Sequence, residues 1–392
     1  MSNKTRGVRA VIIVVVVLAA IVTGAFGYQA LFSPRSVTEM TQSSLTTQSQ
    51  PEQAVSLLGA GATFPAPLIQ NWTVTYHQLY PSVTINYNPI GSGGGIQQIT
   101  QKTVDFGASD APLSDSQLQA APGLVLMPET LGGVAITYNL DQYGISRDVT
   151  LNFTGDVLSN IYMGKITRWN DPAIQALNPG VKLPDVAITA VHRSDGSGTT
   201  YAFTNFLSVI SPDWKSTVGY NTSVTWPVDS TAGGVGSKGN AGVAGTVRNT
   251  PRAIGYVDVI YAASEGLGIG AVKNTADNFV VPTLQTILYA AANATGTPNP
   301  NDLRLRIVNA QGAQSYPIAT YTYLLIYKDM SVQPSMTEAK ARALAKFLWW
   351  AVHDGQKMSP ALIYVPLPSN VVAADEELLR TLTFQAQPLI TT

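Results

Sequence analysis

The chain has no cysteine and only three histidines in 392 residues. The first absence excludes disulfides, Cys-ligated zinc or iron–sulfur centres, thiol catalysis and a lipid carried on an N-terminal Cys. The second argues against a His-rich metal site, since His77, His192 and His353 are scattered along the chain. Charge is also scarce. Only 12% of residues are charged and 45% are hydrophobic, a balance that argues against a disordered chain. With 23 basic against 24 acidic residues there is no broad basic surface, so bulk nucleic-acid binding is not expected. What remains is oxygen, amide and guanidinium chemistry, with no cofactor or metal implied, on a chain long enough for two domains.

The first residues speak to compartment. Lys4, Arg6 and Arg9 precede residues 10–32, a run of 23 residues without a charge. At 1.5 Å per residue this run covers a bilayer core of about 30 Å. The basic cluster should stay cytoplasmic, with the rest of the chain outside. Residues 1–35 therefore read as a cytoplasmic basic end followed by a transmembrane anchor, with a cleaved signal segment as the alternative. Residues 36–56 read as a flexible stalk rich in Ser, Thr and Gln. The expected location is the external face of the cytoplasmic membrane, extracellular or periplasmic. Without residues 1–35, which hold four basic residues and no acid, the chain has 19 basic against 24 acidic residues and a net charge of −5. Sequons at Asn71, Asn152, Asn221 and Asn293 are weak support for an external protein.

Beyond the stalk, strand-like and helix-like segments alternate, which indicates an α/β architecture. Strands are expected at 56–58, 84–88, 134–138, 253–259 and 321–327. Helices are expected at 65–80, with Leu68, Trp72, Tyr76 and Leu79 on one stripe, at 95–102, and at 337–353. Three small-residue turns stand out. The first is Gly59-Ala60-Gly61-Ala62-Thr63-Phe64-Pro65, the second Gly91-Ser92-Gly93-Gly94-Gly95, and the third runs from Arg193 through Asp195, Ser197 and Gly198 to Thr199. Each brings backbone N–H groups and a hydroxyl to a helix start, where hydrogen bonding and the helix dipole attract an oxyanion. Taken singly, each is an ordinary Gly-rich turn with a Ser or Thr cap. None fits a P-loop or a dinucleotide fingerprint.

The blocks GAGATFPAP, IGSGGG, VDFGASDAPLS, GKITRWNDPAI, RSDGSGT, SKGNAGVAG and AIGYV follow one another in the chain. In these blocks and their order the sequence resembles the phosphate-binding proteins of phosphate-specific ABC importers, over roughly residues 57–371. The resemblance implies a two-lobed clam-shell solute-binding fold (periplasmic binding protein type II), preceded here by the N-terminal transmembrane helix. Residues 57–132 plus 320–392 would form the first lobe and residues 133–319 the second.

The resemblance also implies a site. Thr63 and Phe64 of the first turn, Ser92 of the second, Asp110 of the FGASD block, and Arg193, Ser197, Gly198 and Thr199 of the third would hold phosphate, with Asp195 orienting Arg193. Gly93 and His192 depart slightly from the family pattern. Lys165, Arg168 and Trp169 read as a helical surface segment, and Lys238-Gly239-Asn240 as a loop without clear chemistry that would support the hinge side of the cleft. The partners implied are inorganic phosphate, the permease and ATPase subunits of an importer, and the membrane through the N-terminal helix. The alternatives are a binder of another tetrahedral oxyanion, such as sulfate or molybdate, and a phosphate-releasing enzyme. The enzyme would want metal ligands or a base-activated nucleophile.

Overall fold

A computed structural model describes residues 53–231, 233–294 and 298–390. The first half alternates β1 (Val55–Gly61), α1 (Ala66–Leu79), β2 (Val83–Asn88), α2 (Ser92–Thr100) and β3 (Phe106–Ser109), with β1 parallel to both β2 and β3. In α1, Leu68, Trp72 and Tyr76 are buried as the helical period predicts, whereas Leu79 at its last position is exposed. A long strand, β4 (Leu124–Tyr138), follows. The second half holds β5 (Thr189–Arg193), α3 (Gly198–Ile210), β6 (Gly234–Ser237), α4 (Gly239–Asn249) and β7 (Ala253–Asp258). The chain returns through β8 (Ala319–Tyr327) and closes with α5 (Glu338–Val352) and α6 (Ser369–Arg380).

These strands form one sheet in the order β2-β1-β3-β8-β4-β7-β5-β6, with the short strand Gly268–Ile269 also on β4. β4 serves both lobes. Its first part pairs antiparallel with β8, from Tyr327↔Leu124 to Ala319↔Gly133. From Val134 onward its partner is β7. Such a strand must shed solvent on both faces throughout, and all but one of its residues are buried. α5, the helix expected at 337–353, buries Ala341, Leu344, Phe347, Leu348 and Ala351.

The fold positions the site directly. In open α/β sheets ligands sit beyond the carboxyl ends of parallel strands. Here Thr63 follows β1, Ser92 follows β2, Asp110 follows β3, Arg193 ends β5 and Asn240 follows β6.

The expected transmembrane helix needs correcting. Residues 10–32 lie outside the described residues. Among the described residues no helix is long and apolar enough to cross a membrane. The 15-residue α5 is short of the roughly 20 residues a span requires. The membrane anchor, the membrane as a partner and the tethered location all rested on that helix and are withdrawn with it. Residues 165–169 are also not helical. Lys165 and Arg168 pair with Asp213 and Asp185, and Trp169 is buried with its Nε1 donating to the Arg252 carbonyl.

Candidate functional site

Three helix starts converge, at Ser92, Gly198 and Gly239. Two belong to the turns singled out in the sequence. The third is the segment read there as a plain loop. The first turn joins them through its side chain rather than as a cap: α1 is entered from Pro65 with no side-chain cap, and Thr63 Oγ1 instead accepts from Asn240 N (3.2 Å) and Nδ2 (3.1 Å).

Glycine is required where the lobes meet. Gly91 has φ +93°, and a Cβ there would lie 2.4 Å from Asp195 Oδ2. A Cβ on Gly198 would lie 2.4 Å from the Cβ of Asp110. Both are impossible contacts, so the backbone approaches closely only because these side chains are missing. The closeness permits direct bonds across the cleft. Gly198 N donates to Ser92 Oγ at 3.0 Å, Gly93 N to the Gly196 carbonyl at 3.0 Å, and Tyr261 Oη to the Thr63 carbonyl at 2.6 Å.

Arg193, the single buried Lys or Arg among the described residues, is locked in place. Arg193 Nε and Nη2 donate to Asp195 Oδ1 (2.7 Å) and Oδ2 (2.6 Å). That leaves the Nη1 side of the fork free of Asp195. Asp195 also accepts from Gly239 N at 3.0 Å. Burial alone would raise its carboxyl, but Arg193 and the Gly239 N–H outweigh burial and hold it below the usual range. Ser197 is a true N-cap, its Oγ accepting from Thr200 N at 3.1 Å. Its hydroxyl hydrogen is not used in that bond. The Phe64 ring is fully buried beside Tyr364, whose Oη donates to the Phe64 carbonyl at 2.5 Å, so the cleft can meet only its main chain.

Asp110 is the acceptor in this ring of donors and is 1% exposed. Burial lifts its carboxyl to about 7, against the Thr322 hydrogen bond, the Arg193 charge and the Thr199 N–H. The structure thus gathers Thr63, Ser92, Asp110, Arg193, Ser197, Gly198 and Thr199 at one cleft, with Asp195 behind Arg193. Sequence reasoning missed Asn240, Thr322 and Glu129. Asn240 is fully buried; its Nδ2 donates to Thr199 Oγ1 at 3.2 Å and its Oδ1 accepts from Asp258 N at 3.1 Å. Among the described residues no group of three His, Cys, Asp or Glu side chains could hold a metal ion.

A two-lobed α/β clam-shell with an anion-attracting cleft between its strand ends defines a solute-binding protein. The family description "PBP superfamily domain" matches residues 46–354. A phosphate-binding protein PstS of Xylella fastidiosa is 44% identical over 329 residues, spanning 83% of this chain and 86% of that one. The PstS of Pasteurella multocida is 41% identical over 328 residues, 84% and 89% of the two chains. The crystal structure of a phosphate-binding protein from Stenotrophomonas maltophilia has the same fold, with a TM-score of 0.61 at 20% identity over 83% of this chain and 94% of that one. The chain belongs to the PBP superfamily and, within it, to the family of the phosphate-binding protein PstS.

Proposed function

We propose that this protein binds inorganic phosphate with high affinity between its lobes and delivers it to the permease and ATPase subunits of an ABC importer. It is a binding protein and not an enzyme. Phosphate oxygens are held by the main chain and hydroxyls of Thr63, Phe64, Ser92, Ser197, Gly198 and Thr199. Arg193 neutralises charge through the part of its fork that Asp195 leaves free. The first lobe comprises residues 57–132 plus 320–392 and the second residues 133–319; the change of partner along β4 between Gly133 and Val134 supports that division. A ligand touching both lobes favours the closed form by its differential affinity for it.

The observation that carries this reading is the buried acceptor Asp110 inside a ring of donors. A carboxylate beside an anion repels it unless the anion brings a proton. Phosphate at neutral pH keeps at least one proton and can donate to Asp110. Sulfate has none, and leaves the carboxylate unsatisfied, so Asp110 excludes it. Equilibrium dialysis of the full chain against radiolabelled phosphate tests this. Unlabelled phosphate should displace the label stoichiometrically, while sulfate, molybdate and a simple phosphate monoester should not. Displacement by sulfate at equal concentration would overturn the reading.

A further inference from the structure

Thr322 Oγ1 lies 3.0 Å from Asp110 Oδ1 and 3.1 Å from Glu129 Oε1. A hydroxyl has one hydrogen, so it cannot donate to two carboxylates at once. One of the two acids must hold a proton and donate back to Thr322. The placement of Glu129 is not incidental. β4 and β8 run in register until Thr322↔Thr130, and the next pair is Tyr323↔Pro128. Glu129 is the extra residue of that bulge, a device that re-aims a side chain. Its freed carbonyl is taken by Gln356 Nε2 at 2.9 Å. The side chain is fully buried, and Oε2 has no hydrogen-bond partner, a costly state for a charged oxygen but tolerable for a neutral acid.

We propose that Glu129 is a positioning residue for phosphate selectivity: as a neutral acid it donates to Thr322, which then donates to Asp110 and fixes Asp110 as an ionised acceptor for the ligand's proton. This rests on the phosphate-binding reading above. The groups around the pair agree with that direction of donation. Burial raises both acids and the Thr322 hydrogen bond lowers both, but Asp110 also faces Arg193 and the Thr199 N–H, which favour its charge. Glu129 instead faces Asp110 and Tyr87, and the charge on Asp110 adds to burial in favouring its neutral form. Asp258, Tyr261 and Tyr364 also face Asp110; burial chiefly, and the charge on Asp110 in addition, keeps all three in their protonated forms. Reversing the relay would put the proton on Asp110 and remove the acceptor that phosphate needs. Ionising Glu129 would take away the donor that holds Thr322 and add a second buried anion beside the ligand.

The test is phosphate affinity of the full chain by calorimetry from pH 6 to 9.5, for the native protein, Glu129→Gln and Thr322→Val. The glutamine keeps a donor toward Thr322 and cannot ionise. The ratio of native to Glu129→Gln affinity cancels the ligand's own titration. That ratio should be flat at low pH and fall by up to about tenfold per pH unit above the point where Glu129 ionises, near 8. Thr322→Val should bind more weakly at every pH, and Thr322→Ser should restore binding. Superimposable profiles for the native protein and Glu129→Gln would overturn the relay while leaving phosphate binding intact. A native protein that binds no phosphate at any pH would overturn the functional reading, and the relay with it.

Discussion

Asn240 and Thr63, 177 residues apart in sequence, are joined by two hydrogen bonds at one oxygen. The backbone N–H and the side-chain amide of Asn240 both reach Thr63 Oγ1, at 3.2 and 3.1 Å. The pair crosses the cleft and ties the start of α4 to the loop after β1. Thr63→Val would leave two buried donors unsatisfied, a loss of about 1–3 kcal/mol. That loss falls on the closed form. Phosphate affinity should therefore drop roughly tenfold to a hundredfold, measured by calorimetry, with the far-ultraviolet circular dichroism unchanged.

Asp195 accepts from both Nε and Nη2 of Arg193. Asp195→Asn removes one acceptor of the bidentate pair and the negative charge that balances the buried guanidinium. The variant should bind phosphate about tenfold more weakly. The loss should appear mainly in the dissociation rate, because a misaligned fork weakens the bound state more than the encounter. Stopped-flow release into a phosphate trap reads it.

Gly198 allows the two lobes to touch. Any side chain there meets the Asp110 side chain well inside van der Waals contact. Gly198→Ala should therefore hold the lobes apart, with phosphate binding weakened by about a hundredfold or more. Small-angle scattering should then show no compaction on adding phosphate, while the native protein compacts.

Stability should fall as pH rises from mildly acidic to mildly alkaline. Asp110 and Glu129 are lifted by burial to about 7 and about 8. In the phosphate-free protein both release their protons at a higher pH than the unfolded chain does, Asp110 first, which leaves it ionised beside a still-neutral Glu129. Their contribution is therefore fully present below the ordinary carboxylate range and is lost as pH passes upward through 7 and 8. The slope is up to about 1.4 kcal/mol per pH unit for each group. Thermal unfolding of the phosphate-free protein between pH 5 and 8.5 checks the sign, and Glu129→Gln should flatten the curve.

Much of this was legible in the chain. The strand–turn–helix alternation and the small-residue turns reflect local rules of backbone freedom and helix starts, which act within a few residues. Glu129 was harder to read. It is the sole charge within LVLMPETLGGVAITY, and a lone acid in such a run is a visible signal. Its role depends on a bulge set by pairing with a strand nearly 200 residues away, and no local rule supplies that register. Asn240 was missed for a related reason, since the helix it opens has no side-chain cap to announce it. The N-terminal run of uncharged residues lies outside the described residues, among which no helix is long and apolar enough to cross a membrane.

The most direct test of the central claim is calorimetry of the native full chain with phosphate and, separately, with sulfate at neutral pH. The account predicts one phosphate per chain with a dissociation constant of micromolar or tighter, and no measurable heat from sulfate at the same concentrations. Sulfate binding as tight as phosphate would contradict it, because a buried ionised Asp110 then could not be the group that sets the choice.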